Sequence, residues 1–564
     1  MKNSLIYNWG FSLLSIVVLT YALTALSFAI GLTVNAVIFP LAIVTALFIS
    51  LKLNKANGWK SVITTPLIIV FISLIISAFL WDNSYDGNTY HQASILYLAD
   101  GWNPIYDACP AQNIWSAHYA KALEYAEAST FKFVATLGFN PIYSIESSKA
   151  INILLLAATI LICVASAKRL IPNFDKRKAI IIALVIAANP VAMQVFTFYN
   201  DYALYCEISI LLASFIGIAK RGEVADWIVA ISVTILAIGT KFTHFFYAGV
   251  AWAAFFAYLI ATKRFSVFRK SIITAVVTAI VGALVLGAHP YVTNTAKTGS
   301  PLYPIIGSGV DIMTTNTPSV YNDCDRFTNF IKSQFTSPEG ESWSEFPVPL
   351  SRDAFLGVGY DSRSLGFGAF FIWILLASIV ILIISKAKPA SYFIVVCLIL
   401  SAFIIEQAWW ARYVAFLWIV PVVAIVASYI NNEISNRSIS ILRAIVYVLI
   451  FANSAIPFAA QIAKDTATRQ YETALFESLE KAEPVNVNLA GFESFAQKFN
   501  LLGIAFNEVS KNEIQDEKAV YLYGKSGLPK LPIAELKDEG YDDLAKRCES
   551  MWLVEFNRRL VKQK

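Results

Sequence analysis

Asp86, Tyr90 and His91 stand in the stretch Trp81-Asp82-Asn83-Ser84-Tyr85-Asp86-Gly87-Asn88-Thr89-Tyr90-His91-Gln92, directly after a long apolar run. Asp201 occupies a turn of a few residues between two further apolar runs, and Glu207 follows about one and a half helical turns later. Lys241 is the middle residue of Gly239-Thr240-Lys241-Phe242-Thr243, His244 follows that stretch, and Arg412-Tyr413 follows Glu406 and the Trp409-Trp410 pair. A carboxylate in such a place can take a proton from a hydroxyl. Lysine and arginine can hold an anion, arginine through its planar pair of donors. Asp82 and Asp86 could also share a cation, but a metal site needs more ligands than this stretch supplies. Each residue has an architectural reading as well: a polar helix cap, an interfacial His, Trp or Tyr, or a cation snorkelling to the interface. Ionisable groups near membrane depth are costly and often mark sites.

The elements that must position these residues follow from composition. Of 564 residues 57% are hydrophobic and 15% charged, against roughly 45–50% and 25% for soluble domains. That excludes disorder, a collagen-like fibre and a disulfide scaffold. The 44 basic and 39 acidic residues leave a net +5 scattered in short clusters, which does not make a nucleic-acid stripe. Apolar runs of about the length needed to cross a bilayer lie near 11–31, 33–51, 61–80, 149–167, 179–198, 203–219, 226–240, 243–262, 271–290, 367–385, 389–405, 412–430 and 441–460. The first is too long for a secretory signal and reads as an uncleaved anchor. The expected fold is an α-helical polytopic membrane protein of about thirteen transmembrane helices.

Eighteen Lys and Arg fall in one set of short loops, from Lys52, Lys55 and Lys60 to Arg437 and Arg443, while the alternate set holds only Lys241 and Arg412. The first set is expected to be cytoplasmic, which puts the N-terminus inside. Loops 81–147 and 291–366 and the segment 461–564 then lie outside. All four histidines, His91, His118, His244 and His289, fall on that same level. Residues 1–460 read as the membrane domain. Residues 461–564, with 15 basic and 17 acidic residues, read as a small extracytoplasmic α/β domain. Its strand-like runs are Val485–Leu489, Leu502–Phe506, Ala519–Tyr523 and Trp552–Phe556, and its helix-like runs are Tyr471–Ala482 and Phe492–Phe499.

Asp86-x-x-x-Tyr90-His91 at the start of the first outer loop resembles the acidic signature of the GT-C glycosyltransferases. Tyr199-Asn200-Asp201-Tyr202, the lysine turn around Lys241, Thr298-Gly299-Ser300-Pro301-Leu302-Tyr303-Pro304 and Ala411-Arg412-Tyr413 through Pro421 resemble further stretches of that superfamily in the same order. Ser300 replaces an expected Asn, and an extra hairpin at 11–51 precedes the acidic loop. The likeness is to enzymes related to protein O-mannosyltransferases and aminoarabinose transferases, and spans about residues 60–430. It implies transfer of a hexosyl or pentosyl unit from a polyprenyl-phosphate donor, with inversion, to a cell-surface glycan or lipid-linked acceptor. The place implied is the periplasmic face of a bacterial inner membrane.

Under that resemblance Asp86 is the expected general base, with Asp201 its partner. Lys241 and Arg412 would grip the donor phosphate, which explains two cations placed against the charge rule. Tyr90, His91, Glu207, His244 and Tyr413 are expected around the substrates, and Arg326, Arg352 and Arg363 are further candidates for the phosphate. No cofactor is expected to be required, and a divalent metal is possible but not favoured. A Cys109–Cys324 bridge could clamp the two outer loops in an oxidising compartment. Cys163, Cys206 and Cys397 read as packed within spans. An O-antigen polymerase would show an arginine-rich outer loop, and a lipid-glycan transporter would show paired half-sequences and broken helices.

Overall fold

A computed structural model describes residues 4–53, 58–307, 316–322, 324–336, 354–355, 357–361, 363–430, 437–481, 484–515, 519–523, 532–536 and 538–550. Lys55, Arg352 and the expected strand Trp552–Phe556 lie outside them. The fold opens with α1 (Leu5–Ala29), α2 (Ile38–Leu53) and α3 (Trp59–Phe79). The first large loop is itself helical: α4 (Gln92–Ala99), α5 (Ile114–His118), α6 (Ala122–Ala135) and α7 (Pro141–Ser147). Then come α8 (Ala150–Leu170), α9 (Lys176–Ala187), α10 (Tyr202–Lys220), α11 (Val224–Thr240), α12 (Phe242–Ala261), α13 (Phe265–Ile280) and α14 (Thr293–Thr298). The second large loop contains α15 (Arg326–Ser333), followed by α16 (Phe371–Ile384), α17 (Pro389–Ala402), α18 (Ile419–Ile430) and α19 (Arg437–Glu480).

Among the described residues eight helices are long and apolar enough to cross a membrane. Four shorter apolar helices, α2, α11, α16 and α17, accompany them. Each expected apolar run overlaps a helix, and the packing explains why these helices are apolar all round. α1 and α10 bury residues on every side, including Leu13, Ile16, Val17, Tyr205, Ile210 and Leu211. α3 and α13 turn Ile68, Phe71, Ile72, Ile273, Val276 and Val277 outward, as a lipid-facing helix does.

Two expectations are corrected. The span expected at 179–198 is broken: α9 and the 3₁₀ segment Pro190–Phe196 meet at 79°. The break follows from Asn189, whose side chain accepts from Val191 N, and from Pro190 at the first position of the new segment. The boundary expected at 460 falls inside a helix, because α19 runs unbroken for 44 residues through Pro457 and into the C-terminal unit.

The C-terminal unit is a small α/β fold, as expected. β1 (Val485–Asn488), β2 (Phe506–Glu508), β3 (Ala519–Tyr521) and β4 (Ile533–Glu535) form one sheet in the order β2-β1-β4-β3. β1 and β2 are parallel, Val485 opposite Phe506, and are joined through α20 (Glu493–Leu502). β4 pairs antiparallel with both β1 and β3. The end of α19, α20 and α21 (Asp538–Ser550) contribute Leu475, Leu479, Phe495, Phe499 and Leu544 to its core. The strand expected at Leu502–Phe506 begins only at Phe506, since Leu502 ends α20 before the left-handed Gly503 (φ 76°).

Candidate active site

The carboxylate of Asp86 is delivered by the bend that follows α3. Asp82 builds that bend: its Oδ1 accepts from Ser84 N at 2.7 Å, and its Oδ2 from Phe198 N at 3.1 Å. Asp82 is thus turned inward and ties the first loop to the turn carrying Asp201, which accounts for the second acid of the pair without a shared cation. Burial pushes its carboxyl above the usual pKa, against the pull of Lys149. Gly87 follows Asp86 because nothing larger fits: a Cβ there would lie 1.9 Å from Asp82 Oδ2 and 2.4 Å from Ser84 Oγ.

Asp201 sits at the N-terminal end of α10, where the turn is fixed by Gln194. That side chain accepts from Tyr202 N at 2.9 Å and donates to the Tyr360 carbonyl at 2.8 Å. Lys241 is the extended residue between α11 and α12. Arg412 stands in the 3₁₀ segment Ala411–Trp418 that leads into α18.

These four residues meet. Arg412 Nη1 donates to Asp86 Oδ2 at 3.0 Å and lies 3.4 Å from Asp201 Oδ2. Lys241 forms an ion pair with Asp201 Oδ1. A third carboxylate, Asp361, places Oδ1 3.3 Å from Arg412 Nε. Aromatic rings hold the cations in place. The Arg412 guanidinium lies 4.3 Å from Trp410, 5.1 Å from Tyr199 and 5.3 Å from Tyr413. Lys241 lies 5.2 Å from Tyr413 and 5.9 Å from Tyr119. Attraction of a cation to a ring face stiffens such an arrangement without removing its charge.

The two expected catalytic acids differ in environment. Asp86 keeps 17% of its side chain exposed and Asp201 only 3%. Burial alone would raise the Asp201 pKa, but Lys241 and then Arg412 overcome it and bring it down to about 2. Asp201 is therefore a fixed anion. Tyr90 is pushed well above its ordinary pKa by burial, with Asp86 adding to the rise, so it remains a neutral hydroxyl. Tyr413 belongs to the cluster through its contacts with both cations.

The histidines and Glu207 take other places. His91 Nδ1 lies 2.7 Å from Glu124 Oε1, and Lys121 donates to the other oxygen of Glu124 at 3.0 Å. Burial opposes the charge on Glu124, yet Lys121 and His91 together hold its pKa below the ordinary value. The His91 ring is 6.4 Å from that of Tyr199, so this triad supports the cluster from behind. His244 Nδ1 and Glu207 Oε2 pair at 2.8 Å, each 1% exposed, beneath Asp201. Arg363 stacks 4.8 Å over Trp410 and Arg326 donates to the Phe403 carbonyl at 2.7 Å. Cys109 and Cys324 are not bridged, and Lys332 Nζ lies 2.8 Å from Cys324 Sγ.

Sequence reasoning missed Asp361, Tyr199, Tyr119 and the Lys121–Glu124 support. Asp361 lies in the loop ahead of α16, in Gly359-Tyr360-Asp361, where nothing in the sequence sets it apart from other loop carboxylates. Among the described residues no group of three or more His, Cys, Asp and Glu side chains is arranged to hold a metal ion. A cavity of about 300 Å³ lies toward the opposite end of α10 and takes no part in this cluster. No protein-family model matches the chain, and no curated protein matches it.

Proposed function

We propose that this chain is a membrane glycosyltransferase that moves a sugar from a polyprenyl-phosphate donor to a cell-surface glycan or lipid-linked acceptor, with inversion at the anomeric carbon. The observation that supports the reading most is the meeting of Asp86 and Asp201 with Arg412 and Lys241, four residues drawn from four distant stretches of the chain. In this reading the helices make thirteen crossings with the N-terminus in the cytoplasm. The charged cluster and the α/β unit then lie on the periplasmic side of a bacterial inner membrane.

The chemistry follows from the environments. Asp86, the more exposed acid, takes the proton of the acceptor hydroxyl as its oxygen bonds to the anomeric carbon. The bond from that carbon to the phosphate oxygen breaks, and polyprenyl phosphate leaves with the electron pair. Arg412 and Lys241 meet the charge that develops on the phosphate. Arg412 donates to Asp86. An arriving phosphate offers Arg412 another anion and releases Asp86 to act as base. Asp201, too acidic to be a useful base near neutral pH, holds Lys241 and Arg412 in position.

The test uses the full chain in proteoliposomes with a radiolabelled polyprenyl-phosphate sugar and a membrane glycolipid fraction as acceptor. Label should reach the acceptor without any nucleotide sugar. Arg412→Ala should raise the donor concentration needed for half-saturation about tenfold or more, since a hydrogen bond to a charged group contributes roughly 1.5–3 kcal/mol. Transfer only from a nucleotide sugar would contradict the proposal, and unchanged donor saturation would reduce Arg412 to an interfacial anchor.

A further inference from the structure

α10 carries the charged cluster at its first turn and ends about 28 Å away at Lys220. Two apolar cavities open at that far end. One, about 300 Å³, runs between α10, α12 and α17 and is lined by Phe215, Tyr247, Phe255 and Leu398. The other, about 110 Å³, runs between α8, α10 and α18 and is lined by Tyr205, Ile419 and Val423. They share one wall, made by Leu170, Leu212, Ile216, Ser391, Ile394 and Ile430. Polar residues gather at the end of the larger cavity: Lys220, and Lys388 beside Ser391 at the start of α17.

Neither lysine has a carboxylate partner among the described residues, although the neighbouring Arg221 does, 3.7 Å from Glu223. Two cations at the mouth of an apolar space, next to a helix N-terminus that itself favours negative charge, call for an anion attached to hydrocarbon. Two chambers that share one wall suit two chains better than one.

We infer that Lys220 and Lys388 bind the phosphate of an anionic two-chain phospholipid whose acyl chains enter the paired cavities. The bound lipid belongs to the leaflet opposite the charged cluster and fills the space between α12 and α17, so it holds that side of the bundle together. The site stands independently of the proposed transferase reaction.

The full chain, purified in detergent, is heated with dioleoyl phosphatidylglycerol, dioleoyl phosphatidylcholine, polyprenyl phosphate or inorganic phosphate. Native mass spectrometry counts retained lipid. Phosphatidylglycerol should raise the melting temperature by several degrees and remain bound at one molecule per chain, and phosphatidylcholine and inorganic phosphate should do neither. The double variant K220A/K388A should lose the preference at least tenfold and K220R/K388R should keep it, which separates loss of charge from misfolding. Ala254→Trp, placed in the larger cavity, should lose retention with both lysines intact. Equal protection by both phospholipids, or a preference that survives K220A/K388A, would overturn the inference. Protection by inorganic phosphate alone, or by polyprenyl phosphate alone through these lysines, would also overturn it.

Discussion

At Arg412 three carboxylates and three aromatic rings surround one guanidinium. Leaving a buried charge without its partner costs more than the pair itself contributes, so the cluster is held as a unit. Asp201 shows this through pH. Its folded-state pKa of about 2 lies below the ordinary 3.8, so its contribution is present above about pH 4 and is lost as pH falls toward 2. The difference amounts to about 2 kcal/mol. In thermal unfolding from pH 6 down to pH 2, wild type should therefore lose stability below pH 4. The gap to Asp201→Asn, widest near neutral pH, should close over the same range. Parallel profiles would show that Asp201 is not held by Lys241 and Arg412. Asp201, Lys241 and Arg412 were legible because a charge in an apolar surrounding needs a reason, and Asp86 because it opens the first outer loop directly after an apolar run. Asp361 was not, because one more carboxylate in a polar loop carries no such signal. Tyr199 and Tyr119 resemble any interfacial tyrosine until the cation above each is located. Glu207 and His244 were read around the substrates, but their contact is with each other.

Among the elements, the short bend from Trp81 to Gly87 does the most to place the candidate base. Asp82 fastens it to Phe198, and Gly87 leaves the gap into which the Asp82 carboxylate fits. Gly87→Ala should force that carboxylate away and break its two backbone hydrogen bonds, costing about 1–3 kcal/mol. The measurements are a lowered melting temperature together with a drop in transfer rate as Asp86 shifts. An unchanged melting temperature would mean that the bend relaxes freely. The helices of the apolar runs were legible, because long apolar runs in this composition have little else to become. The break at Asn189–Pro190 carried its own signal in a capping residue followed by proline, but the continuous hydrophobicity from 179 to 198 hid it. β4 was missed because a strand of three residues is too short to show alternation, and α21 because its narrow apolar face, Tyr541, Leu544, Ala545 and Cys548, lies within a strongly charged run.

Over the whole molecule, the α/β unit is built onto the loop that holds Asp86. Tyr523 donates to the Asn83 carbonyl at 3.0 Å, and Ser494 donates to the Gly87 carbonyl at 3.3 Å. Glu493 accepts from Gln112 N and Asn113 N, and Lys498 pairs with Glu472 of α19 at 3.0 Å. α19 reaches across as well, Gln461 donating to Asn83 Oδ1 at 3.1 Å. Alternating strand-like and helix-like runs foretold this unit as α/β, but not its seat on the acidic bend, because such contacts join residues some 400 positions apart. The arrangement makes sense if the base must be held still while its partner arginine turns to a phosphate. The direct test is transfer by Asp86→Asn, reconstituted beside wild type with the polyprenyl-phosphate sugar. Loss of a general base predicts a rate lower by about 10²–10⁴-fold with melting temperature and donor binding preserved. Turnover at the wild-type rate in that variant would contradict the account.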